Sequence, residues 1–331
     1  MIKNIKLSAL SFKLLILLFI TSIAFISCVP NRLNKDKFII AGTYLEVVSP
    51  AKDAATIVHQ EFKRLTAIFD SYNETSELSR LNKTYNTPFV VSKEMIEVLS
   101  LSAQVNKTTK GAFDVSAGVL FDFWKKLIAE GTIDKLPDEA LIAQLKEKTG
   151  MQYIKIDPAK SEVTITKQGL KIDLGGIAKG YMVDKAIQKL RAAGISDALV
   201  NAGGDIFCLG ANHHRAWKIG IQEPGVVGEV VSMQDLSDEA VATSGDYEQY
   251  FEFKSKRYSH IVDPRSGYPV DTDSISMTII TQNCTTADSF ATAFFVMGTE
   301  DIREFLNQNQ TTLRIFVLTE GPKGKRIQIL Q

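Results

Sequence analysis

Cysteine is scarce in this sequence of 331 residues, which contains only three, and neither sign of charge is in excess, because 38 Lys and Arg balance 38 Asp and Glu. Three cysteines are too few for a disulfide framework. Balanced charge without a basic stretch excludes the electrostatic footprint of a nucleic-acid-binding protein, so we expect no nucleic-acid partner. The sequence also lacks internal repeats and low-complexity tracts. Hydrophobic residues make up 45% of the chain, which is enough to bury a full core.

The first 28 residues have the pattern of a targeting segment. Lysines at positions 3, 6 and 13 precede an apolar run over 14–20, and the apolar character continues to Ile26 before Ser27 and Cys28. A basic start, an apolar centre and a small residue before the cut are typical of a secretory signal. A cysteine directly after the cut resembles a bacterial lipoprotein signal, in which Cys28 would be lipidated and become the first residue of the mature protein.

An uncleaved anchor helix is the alternative for this segment, since residues 14–26 are almost wholly apolar. That stretch is short for a bilayer span, which needs about 20 residues. Either arrangement exports the body of the protein and anchors it on a bacterial membrane, facing the periplasm or the cell exterior. We therefore predict a lipoprotein signal peptide over 1–27, a tether over 28–37 and one domain over 38–331.

The rest of the sequence mixes predicted strands and helices without strict alternation, which indicates an α+β fold. Helical spacing or a capping residue predicts helices at 51–69, 92–106, 136–148, 178–193 and 285–297. Residues 70–82 are predicted as a polar loop. Alternation and β-branched residues predict strands at 38–48, 152–157, 162–166, 170–173, 198–201, 206–209, 217–221, 228–233, 240–243, 249–253, 258–262, 274–281, 313–318 and 326–330.

The strongest local motif runs from Asp173 to Tyr181 at a predicted strand-to-helix junction. Its glycine pair, Gly175 and Gly176, lets the backbone approach a ligand, and the helix N-terminus offers N–H groups to a phosphate. Lys179 adds a mobile positive charge one turn into the helix. A tight turn with a solvated lysine is the alternative, because a glycine pair before a helix is common.

A carboxylate and a hydroxyl share one face of the helix predicted at 285–297. Asp288 and Thr292 are four residues apart and so lie on neighbouring turns. Oxygen ligands of this kind suit Mg²⁺, which completes its shell with water and substrate phosphate. A capping aspartate and a core threonine are the alternative, which spacing alone favours.

Two further motifs could contribute to a ligand site. His260 lies at a strand end beside acidic and basic residues, where its titration near neutral pH makes it a natural general base, although a lone histidine is more often structural. Phe113 and Asp114 precede an aromatic segment and could receive a flat heterocycle, or could equally be ordinary core.

With Cys28 assigned as the lipidated residue, two cysteines remain, Cys208 and Cys284. We expect them to be small buried residues rather than a disulfide pair.

Taken together and in this order, these segments resemble the ApbE family of flavin transferases. The likeness covers nearly the whole sequence after the targeting segment, and its motifs lie at 42–43, 76–82, 112–114, 173–180, 201–205, 242–247, 260–267 and 286–292. One departure is Ala41, at a position where the family commonly has methionine before Gly-Thr.

The resemblance implies a T-fold-like α+β body that binds FAD and Mg²⁺. Carried over by position, the metal ligands are the main-chain carbonyl of Gly176 and the side chains of Asp288 and Thr292. His260 falls where the family places a residue needed for transfer. The residues that fall where the family contacts FAD are Ala41, Tyr72, Ala112, Phe113, Asp114, Asp173, Lys179 and Ile261.

The activity implied by the resemblance is Mg²⁺-dependent transfer of FMN from FAD to a threonine of an acceptor protein, with release of AMP. The family's targets include subunits of membrane electron-transfer complexes, which suits an enzyme tethered at a membrane. Two alternatives stay open at this point: an FAD pyrophosphatase that releases FMN and AMP, and a non-catalytic flavin-binding carrier lipoprotein.

Overall fold

Antiparallel strands form the framework of the protein, of which a computed structural model describes residues 32–131, 135–224, 226, 228–245, 250–253, 256–272, 274–321 and 324–330. The strands in these ranges are β1 (Asn34–Ile40), β2 (Thr43–Ser49), β3 (Phe89–Val90), β4 (Ile154–Asp157), β5 (Glu162–Ile165), β6 (Ala198–Ala202), β7 (Asp205–Leu209), β8 (Trp217–Gln222), β9 (Val230–Leu236), β10 (Glu239–Gly245), β11 (Tyr250–Phe253), β12 (Lys256–Ser259), β13 (Ser274–Thr281), β14 (Arg314–Gly321) and β15 (Gly324–Leu330).

Eight of these strands join in one large sheet. Its order is β1-β2-β6-β7-β10-β13-β14-β15, and each neighbouring pair is antiparallel. Strands β3, β5 and β4 form a smaller sheet, and β8-β9 and β11-β12 are separate two-stranded pairs. The described part from Asn34 onward is one compact unit.

Seven helices are described: α1 (Ala54–Phe69), α2 (Glu77–Leu81), α3 (Lys93–Thr108), α4 (Gly118–Glu130), α5 (Glu139–Lys146), α6 (Ala178–Ala192) and α7 (Cys284–Gln308). Helix α7 is kinked at Gly298, whose φ is 72°. Within the described ranges, none of these helices has the length and apolar character that a membrane crossing requires.

The main core lies between the large sheet and helices α1, α6 and α7. Alternate residues of the strands, such as Leu45 and Val47 on β2, are buried against helical residues such as Phe62 and Leu190. Each such side chain contributes about 1.5 to 3 kcal/mol when it is removed from water. The periodicities of two in the strands and 3.6 in the helices therefore meet in one interior. The predicted α+β class is confirmed, with antiparallel sheets.

Most predicted elements agree with the structure to within a few residues, but the first strand does not. Residues 38–48 form the hairpin of β1 and β2, and residues 34–37, which the sequence assigns to the tether, already belong to β1. Ala41 and Gly42 make the turn with φ of 53° and 71°. This left-handed pair is typical of a tight hairpin, but alanine rarely adopts it, so the turn has no clear sequence signal.

Two other expectations were wrong. Residues 170–173 are not a strand, because only Lys171 forms a bridge, to Ala117. The predicted loop 70–82 contains α2, which begins where the Ser76 hydroxyl accepts a hydrogen bond from Ser79 N at 3.0 Å. The helix forms there because Leu78 and Leu81, which lie on one face of it, are both fully buried.

The remaining cysteines behave as predicted, since Cys208 and Cys284 are both buried and free. Cys28 and the lipoprotein signal lie outside the described residues, so the lipid anchor stays a prediction.

Helices α6 and α7 cap each other. Near the start of α6, Gly180 N donates to Asp288 Oδ2 of α7 at 3.0 Å. At the start of α7, the N–H groups of Cys284 and Thr285 each donate at 2.8 Å to the carboxylate of Asp184 on α6. Each helix thus supplies an anion to the N-terminal N–H groups of the other, which have no partner within their own helix.

Gly180 makes this close crossing possible. A Cβ at this position would lie 2.3 Å from the carbonyl oxygen of Cys284 and 2.8 Å from Cβ of Asp288. The first of these atoms belongs to the backbone and the second is bonded directly to it, so neither can move away by a side-chain rotation. Only glycine therefore fits at this point of α6.

We expect Gly180→Ala to lower the free energy of unfolding by about 1 to 3 kcal/mol, the usual cost of overpacking a core. The sign is informative, because alanine is favoured over glycine in an ordinary helix interior by about 1 kcal/mol. Chemical denaturation measures the change. Gln188→Ala, on the exposed side of α6, is the control, with a change of at most about 0.5 kcal/mol. A Gly180→Ala protein as stable as the wild type would contradict the crossing.

Candidate active site

A cleft lies beside the crossing of α6 and α7. It consists of three adjoining cavities of about 500, 410 and 40 Å³, and Asp173 lines all three. The two larger volumes fall within the range of small-molecule sites. Every predicted catalytic, flavin-contacting and metal-ligating residue in the described ranges lines at least one of the three cavities: Ala41, Tyr72, Ala112, Phe113, Asp114, Asp173, Gly176, Lys179, His260, Ile261, Asp288 and Thr292.

The acid–hydroxyl pair of α7 faces the glycine turn. A Cβ on Gly176 would lie 3.1 Å from Thr292 Oγ1, so the turn and the hydroxyl are in close proximity. Asp288, one turn earlier on α7, lines the largest cavity together with both residues. The pair is held by the helix cap, because Asn283 accepts from Thr286 N at 2.9 Å and starts α7 at a fixed point.

Lys179 is less mobile than the sequence predicts. Its ammonium group forms an ion pair with Asp205 of β7 and lies 4.0 Å from Asp288 Oδ1. Burial lowers the pKa of Lys179, but the two carboxylates raise it more, so the net pKa is above its ordinary value. Lys179 is therefore a fixed cation in an acidic setting and not a solvated side chain.

Asp288 has two distinct oxygen environments. Oδ2 accepts the Gly180 N–H, whereas Oδ1 lies beyond hydrogen-bond distance of Lys179. Burial raises the pKa of the carboxyl above its ordinary value, and the Lys179 ammonium opposes that shift. The neighbouring cation thus favours the ionised form of an acid that burial would otherwise neutralise.

The N-terminus of α6 offers fewer open N–H groups than the sequence suggests. Gly175 N donates to Asp173 Oδ1 at 2.8 Å, Ala178 N donates to the Leu174 carbonyl at 2.8 Å, and Gly180 N is used by Asp288. Side chains and the turn itself already satisfy these three N–H groups, so phosphate binding at this helix end stays a prediction that depends on the remaining groups.

His260 lies directly after β12, at the start of a closely hydrogen-bonded loop. Ile261 N donates to Ser259 Oγ at 3.1 Å, and Val270 N donates to the Ile261 carbonyl at 2.9 Å. Further along, the Trp124 indole of α4 donates to the Gly267 carbonyl at 2.9 Å. The loop places His260 in the same cavity as Asp288 and Thr292.

The predicted flavin-contacting residues differ in exposure. Phe113 is 4% exposed and packs against Gly176, so it belongs to the core as well as to the smallest cavity. Asp114 is bonded to Ser116 N and Oγ at 2.8 and 2.6 Å, and burial raises its pKa. Tyr72 is 81% exposed at the rim of the two larger cavities, where its ring is open to a ligand.

Three residues of the site have no role in the sequence-based prediction. Ser244 Oγ lies 3.2 Å from Thr292 Oγ1, Asp205 pairs with Lys179, and Lys125 Nζ lies 3.2 Å from Asp173 Oδ2. Ser244 and Asp205 fall within motifs of the family resemblance, which could have drawn attention to them. Lys125 lies in α4, a helix that the sequence does not predict.

Among the described residues, no three His, Cys, Asp or Glu side chains are arranged to hold a metal ion. Any metal held by Asp288 and Thr292 must therefore take other ligands from the backbone, from water or from a substrate. That donor set is compatible with Mg²⁺, which usually has one or two carboxylates and retains several waters.

Residues 41–317 match the family model of the ApbE family. The chain belongs to the ApbE family. The resemblance predicted from the motifs is thereby confirmed, and the family match covers every predicted site residue except Cys28.

Relatives and solved structures agree with this assignment. An FAD:protein FMN transferase of Vibrio cholerae is 33% identical over 278 residues, covering 82% of each chain. One of Haemophilus influenzae is 32% identical over 266 residues, covering 78% of this chain and 77% of that protein. The structure of flavin transferase ApbE from Vibrio cholerae superimposes with a TM-score of 0.79 at 28% identity, covering 90% of this chain and 97% of the other.

Proposed function

We infer that this chain is an FAD:protein FMN transferase, an enzyme that takes FAD and transfers its FMN half to another protein. The observation that carries this conclusion is the meeting, in one cleft, of the acid–hydroxyl pair of α7, the Gly176 turn and His260. Its relatives from Haemophilus influenzae and Vibrio cholerae bear the same enzyme name. A carrier that only binds flavin has no need of this acid–hydroxyl pair, so we do not favour that alternative.

We propose that Asp288, Thr292 and the Gly176 carbonyl hold Mg²⁺. The donor set supports this, since it consists of oxygens only and Asp288 Oδ1 has no hydrogen-bond donor within bonding distance among the contacts described above. When bound, the ion would withdraw charge from the pyrophosphate and make AMP a better leaving group. The protein's own part is to fix the two α7 oxygens against the glycine turn.

His260 is the proposed general base of the transfer. A threonine hydroxyl is too weakly acidic to attack at neutral pH without a base within hydrogen-bond reach. His260 takes the hydroxyl proton as the threonine oxygen forms a bond to the FMN-side phosphorus. The bond between that phosphorus and the bridging oxygen breaks, and the oxygen leaves with AMP. The products are an FMN phosphoester on the acceptor threonine, free AMP and one proton.

The acceptor is proposed to be a membrane electron-transfer subunit that bears the target threonine. We also propose that Cys28 carries a lipid anchor on an exported protein, which would keep the cleft near such a subunit. The basic, apolar and cysteine pattern of residues 1–28 supports the anchor.

The direct test is to mix the purified protein with FAD and Mg²⁺, with and without a candidate acceptor. Fluorescent flavin that stays on the denatured acceptor is the expected result. FMN released equally without an acceptor would instead support the FAD pyrophosphatase. FAD unchanged in both mixtures would contradict an enzymatic role and leave the carrier.

Removing the charge of Asp288 should abolish turnover while the fold survives. In Asp288→Asn, the amide oxygen can still accept the Gly180 N–H, so only the carboxylate is lost. Thr292→Val should raise the Mg²⁺ concentration for half-maximal transfer by roughly tenfold or more. Mg²⁺ titration of FMN transfer measures both effects, with Thr286→Val on the same helix as the control. Unchanged Mg²⁺-dependent activity in Asp288→Asn would remove the proposed ligand.

His260→Ala should bind FAD nearly as well as the wild type but form product roughly 100- to 10,000-fold more slowly, the usual contribution of a general base. Single-turnover transfer and equilibrium FAD binding separate the two effects. His213→Ala replaces a histidine in an exposed turn and should leave both unchanged. Wild-type rates in His260→Ala would mean that another group accepts the proton.

A further inference from the structure

Lys125 holds a central place in the cleft that the family resemblance does not explain. It follows Trp124, which is fully buried and anchors α4 to the Gly267 carbonyl. This hydrogen bond fixes the position of α4 and therefore the point from which the Lys125 side chain extends. About one-third of its side chain is exposed, and Nζ lies 3.2 Å from Asp173 Oδ2.

Lys125 lies where the two larger cavities join. The residues that line both of them are Ala41, Gly42, Tyr72, Lys125, Asp173, Gly175 and Lys179. A dinucleotide has two bulky halves linked by a pyrophosphate. If one half fills each cavity, the linking phosphates must cross this junction.

The two lysines at the junction, Lys125 and Lys179, differ in the carboxylates that they contact. Lys179 is engaged by Asp205 and also lies near Asp288. Lys125 bonds Asp173, with weaker electrostatic attraction to Tyr72 and Asp122, and Asp173 keeps its bond from Gly175 N when Lys125 moves away. Lys125 can therefore leave its partner without stranding a carboxylate that has no donor.

Lys125 is positively charged in this setting. Burial lowers its pKa, but the Asp173 carboxylate more than offsets this, so the net pKa is above the ordinary value for lysine. A lysine at a junction that anionic phosphates would cross has the chemistry of a phosphate ligand of point-charge type.

We propose that Lys125 binds the pyrophosphate of FAD, moving from Asp173 to the phosphate oxygens when the dinucleotide enters. The proposal rests on the function proposed above, since it takes FAD as the substrate. It assigns to α4 a role in selecting phosphate-bearing flavins over riboflavin.

The test compares three probes: FAD, ADP (which has the pyrophosphate without the flavin) and riboflavin (which has the flavin without phosphate). In Lys125→Met, the dissociation constants of FAD and ADP should rise roughly 10- to 100-fold, as expected for loss of a charged hydrogen bond. Riboflavin binding should be unchanged. Lys125→Arg should restore most of the FAD affinity, because it retains the positive charge.

Lys126→Met is the matched control, because it removes an exposed lysine from the next position of the same helix. Its binding of all three probes should equal that of the wild type. Unchanged FAD and ADP binding in Lys125→Met would overturn the proposal, and so would an equal loss for riboflavin, which would indicate a structural role. A wild-type protein that transfers FMN while Lys125→Met binds normally would refute only this proposal, whereas a wild type that binds no FAD would refute the function as well.

Discussion

The crossing of α6 and α7 at Gly180 is the contact on which the site depends. Asp288 cannot both cap α6 and face the cleft unless the helices approach closely, and the absence of a side chain at Gly180 permits that approach. Asp184 completes the arrangement from the other side by holding the first turn of α7. The two carboxylates fix the register of one helix against the other. Thr292 is brought to the Gly176 turn as a consequence.

The same crossing creates an electrostatic problem, which Lys179 offsets. Asp288 and Asp205 are 4% and 2% exposed, and a buried carboxylate without a partner is unstable in its charged form. Lys179 lies between them and pairs most closely with Asp205. Asp288 is therefore stabilised at longer range, by a cation that does not bond its free oxygen. Asp288 therefore keeps one oxygen that neither Lys179 nor Gly180 bonds.

Local features of this site could be predicted from the sequence, and long-range partnerships could not. The start of α6 after the glycine pair and the cap of α7 at Asn283 follow from neighbouring residues. The partner of Lys179 comes from β7, at a distance that depends on how β7 packs against α6. The turn at Ala41 has no sequence signal, because its left-handed φ is unusual for alanine. Spacing along the chain carries no information about long-range contacts such as the ion pair of Lys179 with Asp205.

The arrangement of charge does not decide between transfer and hydrolysis. The groups proposed to orient the phosphates and to accept a proton would serve a threonine and a water equally, so they would not select the nucleophile. In the proposed mechanism, selection would depend on which nucleophile reaches His260, whose cavity is also lined by the β1-β2 turn and Tyr72. Tyr72 is largely exposed, whereas Asp288, which lines the same cavity, is buried. If the proposed function holds, the helix crossing would set the chemistry, and the exposed rim at Tyr72 is where an acceptor protein would displace water.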